Sequence, residues 1–228
     1  MDIKIKHSDL YTHSIYNKIP PLLADLFKDT VYPWEILPKI QSYIIDIIPK
    51  LSVMGYTEHS EGVWIGKGTY VSDKAEIIGP TIIGHDCEIR PGAYIRGNVI
   101  TGNNCVIGNS TEVKNTVIFD FVQIPHYNYL GDSVLGNYSH MGAGAVCSNQ
   151  KQDKGVISVK FEESINTGLL KMGAILADKV EVGCGCVLNP GTVILSGTRI
   201  YPLNSVRGVL AAHMIMKTTD NIEEIKLP

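Results

Sequence analysis

A left-handed parallel β-helix is the fold class that this sequence predicts, and three observations predict it. An aliphatic residue recurs every six positions, a small residue recurs four positions after each of them, and this beat runs over residues 63–210 with only local breaks. Repeats of this kind are read before any local propensity, because each one buries its apolar side only against its neighbours. Stepping by six from Ile65 gives Val71, Ile77, Ile83, Ile89, Ile95, Thr101, Ile107 and Val113. The accompanying small slot reads Thr69, Ala75, Thr81, Cys87, Ala93, Val99, Cys105, Thr111 and Val117.

A second run steps Leu176, Val182, Leu188, Ile194, Ile200 and Val206, with Val180, Cys186, Thr192 and Thr198 in the small slot. Between the runs the register passes through Ile118, Ile124, Leu130, Leu135, Met141 and Cys147, with two five-residue steps. An α-helix needs apolar residues every three to four positions and a two-sided strand needs plain alternation, so neither accounts for a period of six. Each hexad instead reads as a short flat strand and a turn, with one large and one small side chain pointing inward. Three hexads close a triangular coil, so residues 18 apart, such as Cys87 and Cys105, stack at roughly the 4.8 Å strand spacing. Handedness follows from the association of hexads with left-handed solenoids. Glycine after the aliphatic residue, as at Gly66, Gly84, Gly108 and Gly183, is expected to serve the turns.

Residues 1–62 precede the repeats and form a small helical N-terminal cap, since a solenoid leaves open ends. Pro20 to Phe27 and Trp34 to Ile48 carry helix-like apolar spacing, and Pro38 falls early enough in the second segment to be tolerated. Residues 148–175 break the hexad rule as a polar inserted loop, within which Val156 to Val159 reads as a short strand. Residues 211–228 return to helix-compatible composition and are expected to be a mobile or docking tail.

Composition excludes several function classes. Lys+Arg 20 against Asp+Glu 23 leaves no basic surface for nucleic acid. No apolar stretch approaches the ~20 residues that cross a bilayer, and Met1 to Lys6 opens no signal sequence, so a cytoplasmic protein is expected. The five cysteines at 87, 105, 147, 184 and 186 form no CxxC pair and read as small buried hydrophobes.

Chemistry must come from residues that interrupt the scaffold. Gly108 to Lys114, Ile124 to Asp132, Met141 to Gly144 and Asn149 bring a cation, an imidazole, a phenol and an amide within about two coils. A neutral imidazole at His126 is a suitable general base, Lys114 suits a phosphate or carboxylate, and Gly142 with Ala143 lets a slender chain lie on the backbone. His7, His13, His59, His85 and His213 read as surface residues.

The string Glu112-x-Lys114, His126-x-x-Tyr129-x-Gly131-Asp132, Gly142-Ala143-Gly144 and Asn149 resembles the acetyltransferase domain of the bifunctional enzymes that make UDP-N-acetylglucosamine, and related archaeal sugar-1-phosphate nucleotidylyltransferases. The resemblance covers roughly residues 63–210 and implies a homotrimer that moves an acetyl group from acetyl-CoA to the amine of an amino-sugar phosphate or nucleotide sugar. It implies His126 as the base, Lys114 and Tyr129 on the sugar phosphate, and Asn149 orienting acceptor or thioester. Gly142 and Ala143 would line the CoA arm, Lys171 would meet CoA phosphates, and Arg90 or Arg96 would bind substrate phosphate. No metal is required.

Two departures qualify this. His140 stands where the family commonly has Asn in the acceptor site, which puts glucosamine 1-phosphate in doubt, and Cys184 replaces a serine near CoA. The Gly-rich nucleotide loop of the family's pyrophosphorylase domain does not occur in residues 1–62, so nucleotidyl transfer is not expected. Two other readings stay open: a non-catalytic trimer that binds a sugar nucleotide or protein partner, and a zinc carbonic anhydrase on the same fold. The latter needs three converging histidines, and His85, His126 and His140 include no close pair.

Overall fold

The computed structural model describes residues 5–225, and its strands build the parallel solenoid that the six-residue beat predicts. Three sheets form its sides. Face A is nine-stranded and runs from Tyr56–Ser60 and Val63–Gly66 to Val209–Leu210; face B is nine-stranded, from Tyr70–Val71 to Asn221–Glu224; face C is seven-stranded, from Glu76–Ile77 to Ser205–Val206. Val63 pairs with Thr81 and Thr81 with Val99, 18 residues apart. Val117 pairs with Val134, 17 apart, because the coil between them contains the five-residue step from Leu130 to Leu135. Val134 then pairs with Ile175, 41 apart, so the inserted segment leaves the solenoid and rejoins it without disturbing the stack.

The interior is the set of stacked aliphatics that the repeat supplies. Ile89, Ile107, Ile124 and Met141 follow one another up face B, all fully buried, and each contributes roughly 1.5–3 kcal/mol through removal from water. Four of the five cysteines are buried as expected and Cys184 is exposed. Cys87 and Cys105 sit in successive coils, the Cys105 amide donating to the Cys87 sulfur at 3.3 Å.

The glycines after the aliphatic positions have a different cause from the one expected. Gly66, Gly84, Gly108 and Gly183 do not adopt positive φ. A Cβ on Gly66 would lie 2.6 Å from the Gly84 backbone, and one on Gly183 would lie 2.5 Å from the Pro202 nitrogen. Close stacking of coil on coil is therefore what demands glycine there. The positive φ values fall two residues later, and at the A–B corner they are carried by Asp86, Asn104, Phe121, Tyr138 and Lys179. A side-chain ladder steadies that corner: Asn103, Asp120, Asn137 and Asp178 each accept, through Oδ1, the backbone amide one coil below.

The N-terminal segment does contain helix, with a 3-10 turn Pro33–Lys39 running into Ile40–Leu51. It lies along the flank of face A, and Tyr56–Ser60, within the same segment, pairs antiparallel with Val63–Gly66 at the edge of that face. Ile15 O accepts from Ser196 Oγ, the Asn17 amide donates to Asp178 Oδ2 at 3.2 Å, Tyr16 and Phe27 pack on Phe119 at 4.6 and 5.6 Å between ring centres, and Leu37 O accepts from Asn115. The reason is visible on face A, whose outward residues Ile82, Ile100, Val117 and Ile175 are apolar and would otherwise face water; Val117, expected in the inward small slot, yields it to Thr116, which pairs with Val99. The tail also differs from expectation: Met214–Thr218 and Asn221–Glu224 form an antiparallel hairpin that extends face B, and residues 226–228 lie outside the described residues. Among the described residues no helix is long and apolar enough to cross a membrane.

Candidate active site

With face A covered by the chain's own helices, the candidate residues distribute over faces B and C and the corner between them. On face C, Glu112–Lys114 pairs with Tyr94–Ile95 below and with Tyr129–Gly131 above, Glu112 opposite Tyr129 and Lys114 opposite Gly131. Alternation points Val113 and Leu130 inward and leaves Glu112, Lys114 and Tyr129 outside. Asp132 follows at the C–A corner and is only 6% exposed. Its carboxylate accepts from Asn115 Nδ2 at 2.8 Å and from Asn149 Nδ2, with Lys114 Nζ 3.4 Å away. Asp132, which sequence reasoning left without a role, thus fixes two residues to which it gave one. Its signal was a carboxylate at a corner where neighbouring coils carry amides.

Tyr129 is half-buried. Burial, followed by the nearby Glu112 and Asp132 carboxylates, raises its phenol above the usual range, so it stays a protonated donor at neutral pH. A Cβ on Gly131 would meet Asn149 Nδ2 at 2.6 Å and the Tyr129 hydroxyl at 2.7 Å, so both side chains close over this bare backbone. Gly131→Ala should therefore overpack the site and lower stability by about 1–3 kcal/mol. The measure is the urea midpoint at unchanged m-value; an unchanged midpoint would show that Tyr129 and Asn149 move aside freely.

At the B–C corner His126 ends the strand Gln123–His126, paired with Asn109 in the coil below. Its ring is exposed and makes no side-chain hydrogen bond among the described residues. The backbone beneath it is held firmly. Asn128, 3% exposed, accepts the His126 amide at 3.1 Å and donates to Gly142 O at 2.7 Å and Ala145 O at 3.2 Å, while the Gly144 amide donates to His126 O. Asn128 was missed as a positioning residue. Its signal was an amide in the small inward slot, four positions after Ile124, where neighbouring coils carry Thr, Ala or Cys.

Above His126 the same corner carries Gly142, Ala143 and Gly144, then Cys184 and Gly185. Gly144 and Gly185 both adopt positive φ, and Leu203, 84% exposed, leans over Gly185. The corner is thus a strip of bare backbone between exposed Tyr127 and Leu203.

The other candidates divide, Arg90 and His140 lying on face B and Arg96 and Lys171 lying beside this cluster. Arg90 lies on face B in a two-pronged pair with Glu88, both contacts 3.0 Å. His140 is also on face B, its Nδ1 3.1 Å from Glu181 Oε2. Arg96 does share face C with Lys114, but its guanidinium is 2.6 Å from Glu112. Lys171 is exposed beside Met172, whose amide donates to Asn149 O at 2.9 Å, so the insert returns next to the cluster. His85 packs on Tyr56 at the opposite A–B corner, half-buried, so His85, His126 and His140 do not converge. Among the described residues no three His, Cys, Asp or Glu side chains could share a metal ion.

The family model described as GMPPB C-terminal domain matches residues 77–207. The bifunctional protein GlmU of Methanococcus maripaludis is 31% identical over 180 residues, covering 78% of this chain and 44% of that protein. A bifunctional sugar-1-phosphate nucleotidylyltransferase/acetyltransferase of Sulfurisphaera tokodaii is 32% identical over 151 residues, covering 58% of this chain and 38% of that protein. The chain therefore spans less than half the length of these curated relatives. Among solved structures, AntD, an N-acyltransferase from Bacillus cereus in complex with dTDP and 3-hydroxybutyryl-CoA, aligns at TM-score 0.43 and 18% identity, covering 78% of this chain and 87% of that one.

Proposed function

The chain belongs to the GMPPB C-terminal domain family, and from that premise we propose that it is a CoA-dependent acyltransferase, an acetyltransferase whose acceptor is an amino-sugar phosphate or nucleotide sugar. The observation that carries this reading is the joined set Lys114, Asp132, Asn149 and Tyr129 on face C and its corner with face A, with the exposed imidazole of His126 three residues before Tyr129. The naming of relatives as GlmU and as a nucleotidylyltransferase/acetyltransferase supports the same chemistry.

In this mechanism the acceptor amine attacks the thioester carbonyl carbon of acetyl-CoA. A C–N bond forms, the C–S bond breaks, His126 takes the amine proton, and the departing CoA thiolate is protonated. The thioester is already activated, so placing amine and carbonyl together supplies much of the rate. Tyr129, kept protonated by burial, donates to the acceptor, and Asn149, held by Asp132, orients the acceptor or the thioester carbonyl. The bare strip Gly142, Ala143 and Gly144, continued by Cys184, takes the pantetheine arm, with Lys171 beside the insert meeting CoA phosphate.

Arg90 and His140 face away from Tyr129 in their own chain, so they reach the site only from a second copy whose face B lies against the first copy's face C. A homotrimer supplies that arrangement, and face A, already covered, is not needed for it. The test is acetyl-CoA turnover with a panel of amino-sugar phosphates, together with calorimetry of CoA binding and light scattering for mass. Saturable CoA binding and amine-dependent release of free thiol are expected. A wild-type protein that binds no CoA overturns the reading, and a fully active monomer overturns the trimeric site.

A further inference from the structure

The inserted segment was expected to be a loop with a short strand, and it is a small folded element. Ser158–Val159 pairs antiparallel with Ile165–Asn166, and Ile157 and Val159 are fully buried. Two glycines let it lie on the solenoid. Gly191 and Gly208 occupy successive coils, both with φ near +80°, and a Cβ on either would come within 2.9 Å of the hairpin backbone, at Ser158 O and Lys160 O respectively. The hairpin therefore lies against the C–A corner of the upper coils and borders an open cavity of about 570 Å³.

This cavity lies outside the cluster around Tyr129, although Ser148, next to Asn149, forms one edge of it. Most of its lining residues carry polar side chains: Gln150 and Gln152 at the start of the insert, Ser158 and Ser164 from the hairpin and Asn189 from the coil, with Lys151, Lys160 and Arg207 against the one carboxylate of Asp153. Asp153 is 3.1 Å from Lys151 and neutralises it. Lys160 and Arg207 have no carboxylate within 4.0 Å among the described residues, both line the cavity, and the Lys160 backbone packs on Gly208, the residue after Arg207. This contrasts with the cations singled out from sequence: Lys114, Arg90 and Arg96 are each paired with Asp132, Glu88 and Glu112. Lys171, exposed beside the cluster, has no carboxylate within 4.0 Å among the described residues either, but Lys160 and Arg207 are the two such cations that line the cavity.

We infer that this cavity is a phosphate-binding site in which Lys160 and Arg207 hold an anionic phosphate group while the surrounding serines and Asn189 meet hydroxyls of the same molecule. Guanidinium and ammonium bind phosphate by charge-assisted hydrogen bonds, and 570 Å³ lies within the range of small-ligand pockets. The anion site itself stands on this geometry alone; that its ligand is one of the two substrates rests on the acyltransferase reading. The phosphate has two sources in that reading, the cosubstrate's nucleotide end or the acceptor's phosphate.

The experiment is calorimetric titration of the full chain with 3′,5′-ADP and, separately, with glucosamine 1-phosphate, using wild type, the charge-reversed Lys160→Glu, Arg207→Ala and the conservative Lys160→Arg. Lys160→Glu and Arg207→Ala should each weaken one probe about 10- to 100-fold, Lys160→Arg should retain it, and the melting temperature should stay unchanged because both side chains are exposed. Weakening of 3′,5′-ADP assigns the cavity to the cosubstrate, and weakening of the sugar phosphate assigns it to the acceptor. Wild-type affinity for both probes in both disruptive variants, or no binding of either probe by wild type, overturns the inference. Acetyl transfer with intact rate in those variants overturns it while leaving the acyltransferase reading standing; phosphate binding that depends on Lys160 and Arg207 without any acetyl transfer does the reverse.

Discussion

His126→Ala is expected to lower the turnover of acetyl-CoA by about 10²- to 10⁴-fold, the range over which a positioned base acts on a proton transfer. The fold should not change, since the ring is exposed and makes no side-chain hydrogen bond among the described residues. The KM for acetyl-CoA should move little, because the bare corner above His126 is backbone, and truncating an exposed ring leaves it in place. Added imidazole should restore part of the rate, a readout that a merely structural role would not move. The companion change Asn128→Ala separates chemistry from positioning: it removes donors to Gly142 O and Ala145 O at the buried clamp, so it should cost stability as well as rate. A His126→Ala enzyme with wild-type turnover would remove the base from this site altogether.

The scaffold was legible because its period is dictated by geometry that leaves little choice. An inward aliphatic at Ile89, Ile107 or Ile124 is wanted by every coil, so the pattern repeats until the fold ends. The N-terminal layer was half legible: the spacing of Trp34, Ile36, Leu37 and Ile40 announced helix, but not what the helix would cover. That answer lay in face A, where Ile82 and Ile100 are outward-facing and apolar, a second apolar column easily taken for strand propensity. The tail misled because Met214, Ile215 and Met216 suit either structure; continuation of face B decided in favour of strand. In the site, residue types announced His126, Tyr129 and Asn149, whereas pairing did not show in the sequence. Which cation is neutralised and which is free depends on neighbours a coil away, and only the register brings Lys114 to Asp132 and leaves Lys160 and Arg207 unopposed.

The N-terminal layer supplies the second large effect, on stability. Phe119 is fully buried between Tyr16 and Phe27, with ring centres 4.6 and 5.6 Å away, and it is the point where the helical segment and face A share one core. Phe119→Ala should cost about 3–5 kcal/mol, the loss of a buried aromatic plus the cavity it leaves. Phe121, two residues on, is the internal comparison: it stacks on Tyr138 at 4.7 Å but is 42% exposed, so Phe121→Ala should cost far less, about 1 kcal/mol. The contrast is measured as denaturant midpoints for the two variants, with hydrogen exchange at residues 10–37 as the local readout. Exchange there should rise in Phe119→Ala before the solenoid opens, because coils contact only their neighbours and can persist when a side layer detaches. Equal midpoints for the two variants, with exchange unchanged, would mean that the helices are held to face A chiefly by their polar contacts at Asp178, Asn137 and Asn115. The packing argument predicts the opposite order: three aromatic rings out of water outweigh these hydrogen bonds and that of Ser196 to Ile15 O, each of which exchanges a water partner for a protein one at a net gain of only about 0.5–1.5 kcal/mol.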